Sequence, residues 1–142
     1  MDDIIHERNF AFSIDKVWLA LTDPSALEEW LMPSDFKPIV GHKFQFRTKP
    51  HAGHNGLIDC EILEVDHPHR LSYSWKTSNM QNPTTVTFIL TPTPDGGTRL
   101  RLEHRGFEGA SGELLQPLFK NGWAHKFDQQ LEPVITRLTH TK

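Results

Sequence analysis

The chain has 142 residues, of which 37% are hydrophobic and 23% charged, with a net charge of -3 and one cysteine. That length fits a single domain, residues 1–142, which can bury a core without disulfide or metal staples, and the charge supplies no basic field for a nucleic-acid backbone. The acidic start Met1-Asp2-Asp3, the lack of any apolar run of membrane length and the lone Cys60 read as a cytoplasmic protein with no membrane insertion.

Taken in order, Asp3 to Phe12 reads as a strand ending in the alternation Phe10-Ala11-Phe12. Ser13 then offers a helix cap, and Val17, Trp18, Ala20 and Leu21 give a short helix its buried face. Asp23-Pro24 starts a second short helix carrying Leu27, Trp30 and Leu31, which Pro33 ends. Phe36 to Val40 reads as an edge strand, because Pro38 interrupts it.

Strands with alternating faces follow. Phe44 and Phe46 point inward from Lys43 to Thr48, and Ile58, Cys60 and Ile62 from Leu57 to Val65, with the polar loop His51 to Gly56 between them. Asp59, Glu61 and Glu64 point outward, where Arg99 or Arg101 are candidate partners. Leu71, Tyr73 and Trp75 alternate with polar residues, as do Val86, Phe88 and Leu90. Asp95-Gly96-Gly97 is a hairpin turn, and the last strand, Thr98 to Arg105, turns Leu100, Leu102 and His104 inward. The chain closes on one amphipathic helix, Ser111 to Leu138, whose stripe runs through Leu115, Leu118, Phe119, Trp123, Phe127, Leu131, Val134, Ile135 and Leu138. Gly122 suggests close backbone packing or a bend in that helix, and Pro133 a kink near Leu131.

Glu29-Trp30-Leu31-Met32-Pro33, Val40-Gly41-His42-Lys43-Phe44, Pro68 to Trp75, Gly97 to His104 and Gly122-Trp123 occur in an order and spacing that resemble the activator of heat-shock protein 90 ATPase homologue-like family, within the START/Bet v 1-like (SRPBCC) superfamily. The resemblance runs from about Ile5 to Leu138. It implies an α+β helix-grip fold: a curved seven-stranded antiparallel sheet around a long C-terminal helix, with two short helices after the first strand. It also implies binding of a lipid, sterol, polyketide or other hydrophobic molecule, with some cyclases and hydrolases in the superfamily. A chaperone partner is not implied, because the co-chaperone that names the family carries a further domain. His42 replaces the family's usual second glycine, and Met32 stands where a glycine is common, beside the expected pocket mouth.

The expected function is binding of a small hydrophobic or amphipathic molecule between sheet and helix, in a pocket walled by Trp30, Met32, Phe44, Phe46, Ile58, Cys60, Tyr73, Trp75, Phe88, His104, Trp123 and Phe127. Two alternatives stand beside it: an enzyme of the same fold, a cyclase, hydrolase or isomerase using His104 and Tyr73, and a chaperone-associated protein-binding module. His104 is the catalytic candidate because a buried neutral imidazole can both donate and accept a proton; the competing account is a histidine hydrogen-bonded to a backbone carbonyl or water. Core packing competes with the pocket for the aromatic residues, most strongly for Trp18, Phe88 and Phe127. His51 with His54, and His67 with His69, lack a third ligand at a recognisable spacing, so neither a metal nor a cofactor is expected. An edge at Phe36 to Val40 leaves a homodimer open.

Overall fold

The computed structural model describes residues 3–50 and 55–140. The order is β1 (Ile4–Phe10), α1 (Ile14–Thr22), α2 (Pro24–Trp30), β2 (Lys43–Arg47), β3 (Leu57–Asp66), β4 (Arg70–Thr77), β5 (Thr84–Pro92), β6 (Thr98–Arg105), α3 (Gly109–His125), a π-turn (Lys126–Gln130) and α4 (Leu131–His140). Among the described residues, six strands form one curved antiparallel sheet in the order β1-β6-β5-β4-β3-β2. Alternation sets its two faces: Leu100, Leu102 and His104 are wholly buried, while Arg99 and Arg105 are exposed. The Asp95-Gly96-Gly97 turn forms as read, with Gly96 at φ 85°, a conformation open to glycine. The histidine loop of the sequence reading, His51 and His54, lies outside the described residues. No described helix is long and apolar enough to cross a membrane.

The expected seventh strand, Phe36 to Val40, does not form, so the sheet has six strands and not seven among the described residues. Pro33 and Pro38 flank Phe36 and remove backbone donors, and the segment keeps a single bridge, Ser34 to Phe46. Burial takes over from pairing there. Phe36, only 2% exposed, inserts its ring 5.2 Å from Phe44 and 6.2 Å from Tyr73, while Ile39 and Val40 remain exposed. The free edges of the sheet are therefore β1 and β2. Strand order also separates β3 from β6, so the carboxylates of β3 do not meet Arg99 or Arg101. Glu64 pairs with Arg70 at 2.8 Å, and Arg101 bonds Glu7 and Glu103 instead.

The closing helix is continuous from α3 to α4 but divides into two halves at the π-turn. Below the division Phe127, Leu131 and Ile135 are fully buried against Trp30, Phe88 and the short helices. Above it Leu118 is 64% exposed, and Leu115 and Phe119 are half-buried. The π-turn accounts for Pro133: a proline ring collides with the carbonyl four residues back, at Gln129, and the wider turn makes room for it. Leu131 N–H accordingly reaches the Lys126 carbonyl, five residues earlier. Arg8 of β1 fastens the turn by donating to the Phe127 carbonyl at 2.6 Å and to Glu132 at 3.0 Å. A second proline, Pro117, lies inside α3 on its exposed side. If the halves differ as described, Phe127→Ala lowers the unfolding free energy by about 3–5 kcal/mol and Leu118→Ala by less than about 0.5 kcal/mol in urea titrations.

Candidate functional site

Where α3 stands away from the sheet there is a cavity of about 550 Å³. Its helix side is Leu115, Leu118, Phe119, Gly122 and Trp123, with Lys126 from the π-turn. Ile58 of β3 and Trp75 and Thr77 of β4 form the sheet side. Leu31 and Met32 after α2, Thr48 after β2 and Asn79 after β4 complete the rim. The apolar stripe of α3 faces this space: fully burying one such side chain is worth roughly 1.5–3 kcal/mol, and the sheet does not take Leu115 or Phe119 that far. Gly122 is part of the opening. A Cβ added there meets nothing within 4 Å, so the residue leaves room in the wall, contrary to the close backbone packing its sequence position suggested.

Of the residues expected to form the pocket, Met32, Ile58, Trp75 and Trp123 line the cavity. Trp30, Phe44, Phe46, Cys60, Tyr73, Phe88, His104 and Phe127 belong to the packed core, each at most 5% exposed. Trp30 donates its indole N–H to the Ala20 carbonyl at 2.8 Å, locking α2 to α1. Phe44, Phe46 and Phe88 surround Tyr73 with ring centroids 5.4–6.0 Å away. The Tyr73 hydroxyl has no hydrogen-bond partner among the described residues, and burial holds its pKa well above the usual phenol value. Burial likewise keeps the Cys60 thiol protonated, far from a nucleophilic thiolate.

His104 is wholly buried, and both its nitrogens are committed. The Trp123 indole N–H donates to Nδ1 at 3.1 Å, and an indole can only donate, so Nδ1 carries the lone pair and Nε2 the proton. Nε2–H then donates to Thr84 Oγ1 at 2.7 Å, and Thr84 donates to the Trp75 carbonyl at 2.8 Å. This chain of donors joins α3 to β6, β5 and β4. Desolvation lowers the His104 pKa to about 3.

The sequence reading passed over Lys126. It lies three residues after Trp123 and seven after Phe119, a charged residue on the apolar face, and that misfit was the available signal. Its side chain is half-buried on the cavity wall, and desolvation lowers its pKa. No carboxylate lies within ion-pair distance of it among the described residues. Trp75, on the sheet side, has a buried indole N–H without a partner among the described residues. No three His, Cys, Asp or Glu side chains come together as a metal-ligand set among the described residues.

The family model for Activator of Hsp90 ATPase homolog 1-like protein matches residues 11–135. The chain belongs to this family. Protein MLL2253 from Mesorhizobium loti, known from a crystal structure, is 38% identical, and the match covers 96% of this chain and 98% of that one with a TM-score of 0.84. Protein BH1534 from Bacillus halodurans, solved in solution, is 26% identical over 95% of this chain and 97% of its own, with a TM-score of 0.79. The solution structure of an Aha1 dimer from Colwellia psychrerythraea has the same fold at 20% identity, with 95% and 96% of the chains covered and a TM-score of 0.74. A comparison with curated proteins gave no match.

The His104 relay has a pH signature. Its folded pKa lies below the unfolded value near 6.5, so the stabilisation is complete above about pH 6.5 and is lost as pH falls toward about 3. This group alone then contributes a slope of at most about 1.4 kcal/mol per pH unit to the unfolding free energy. Nitrogen-15 NMR should find His104 neutral, with the proton on Nε2, at about pH 5, where an exposed histidine is largely protonated.

Proposed function

We propose that the chain binds a small hydrophobic or amphipathic molecule in the cavity between the sheet and the N-terminal half of the closing helix. One observation carries this reading: an apolar helix face that the fold leaves only half-buried at Leu115 and Phe119, beside a space of about 550 Å³. The volume is within the roughly 300–1,000 Å³ typical of small-molecule sites, and the Trp75, Phe119 and Trp123 rings supply flat apolar walls. Family membership supports the reading through the fold. We assign His104 a positioning role, because its relay holds Trp123 and Trp75 together at the cavity wall and leaves neither imidazole nitrogen for a substrate. Core packing of the other aromatics fits the same view: they form the floor on which the cavity stands. A cytoplasmic setting agrees with the buried, unbridged Cys60.

Gly122 supplies the test. Because a Cβ at this helical position meets open space, Gly122→Ala should stabilise the fold by up to about 1 kcal/mol. Gly122→Phe should fill the cavity from the helix side. The neutral dye N-phenylnaphthylamine should bind the unaltered protein saturably, with a fluorescence rise that Gly122→Phe abolishes while the circular dichroism spectrum is kept. A flat titration of the unaltered protein, or equal binding by Gly122→Phe, contradicts the proposal.

A further inference from the structure

The cavity is not evenly apolar: among the described residues that line it, Lys126 is the one cation. Lys126 opens the π-turn, one turn beyond Trp123, with a half-buried side chain on the cavity wall. Lysines in folded proteins keep the ammonium in water or pair it, because a desolvated charge without a counter-ion is costly. Arg8 pairs with Glu132, and Arg101 with Glu7 and Glu103. Asp128, two residues on, is engaged by His6 at 3.2 Å. No ion pair among the described residues engages the Lys126 ammonium.

The wall around Lys126 is mostly apolar, with Ile58, Phe119 and Trp123 among its members and Thr48, Thr77 and Asn79 its polar ones. A neutral apolar guest would leave the ammonium without a counter-charge. A carboxylate supplies one, together with a charge-assisted hydrogen bond. The chain's net charge of -3 and the isolation of this one lysine argue for a single small anionic head rather than a polyanion.

We propose that the cavity takes an amphipathic monocarboxylate, its head on the Lys126 ammonium and its apolar body along Phe119, Trp123 and Ile58. This rests on the cavity being a binding site, and it adds the charge of the guest. Lys126 reaches the cavity wall through the regular spacing of α3, three residues after Trp123 and seven after Phe119, and the π-turn begins at it.

Displacement of N-phenylnaphthylamine by decanoate and by decanol separates the two propositions, because the competitors share an alkyl body and differ in head group. Decanoate should displace the dye from the unaltered protein at a concentration about tenfold lower than decanol, the scale of one charge-assisted hydrogen bond. Lys126→Met should still take up the dye, with the preference reduced to within about twofold, and Lys126→Arg should restore it. Equal displacement by the two competitors, or an undiminished preference in Lys126→Met, overturns the carboxylate assignment and leaves the cavity reading standing. Failure of the unaltered protein to bind the dye overturns both.

Discussion

The Trp123 indole reaches His104 across 3.1 Å, and the relay continues through Thr84 to the Trp75 carbonyl. Much of the fold depends on where this bond holds the closing helix. It is a buried polar tie between helix and sheet, and every member is satisfied in one proton arrangement only. Protonating His104 would set two N–H groups against each other at Nδ1, so the same desolvation that keeps the imidazole neutral also keeps the helix at its distance from the sheet. Each bond contributes about 1 kcal/mol net, but breaking the relay strands buried donors, which costs more than the bonds themselves supply.

From that point the helix behaves differently in its two directions. Toward the C-terminus, Phe127, Leu131 and Ile135 are fully buried against Trp30, Phe88 and the two short helices. Toward the N-terminus, Phe119 meets His104, Phe107 and Trp75 at ring centroids of 5.7–6.2 Å, yet it and Leu115 stay half-buried beside the cavity. Gly122 widens the gap by omitting a side chain at the place where one would fit. The bulky aromatics are spent elsewhere: Phe36, Phe44, Phe46 and Tyr73 interlock beside the cavity. The cavity follows from how ring volume is distributed along the sheet.

Much of this arrangement was legible in the residues. Period-two alternation gave the inner faces of β2 to β6, Asp23-Pro24 gave the second short helix, and the apolar stripe gave the closing helix. Alternation reports which face a side chain is on, however, and not how deep it lies. Trp30, Phe88, Phe127 and Trp123 therefore looked equivalent, although only Trp123 lines the cavity. The apolar residues of Phe36 to Val40 straddle Pro38, a pattern that fits an edge strand as well as an inserted plug, and the contacts of Phe36 with Phe44 and Tyr73 decide for the plug. Lys126 is the opposite case: a charged residue within an apolar stripe breaks the periodicity that marks the stripe, so hydrophobic spacing alone does not point to it.

Whether the space under α3 takes a guest is read by adding decanoate to nitrogen-15-labelled protein and following its amide resonances. Binding there gives saturable shifts concentrated at Leu115, Phe119, Gly122, Trp123 and Lys126, with Trp75 moving on the facing strand and α4 unmoved. Shifts that do not saturate, or that gather at the exposed residues Ile39, Val40 and Leu63 and leave α3 unchanged, would contradict it.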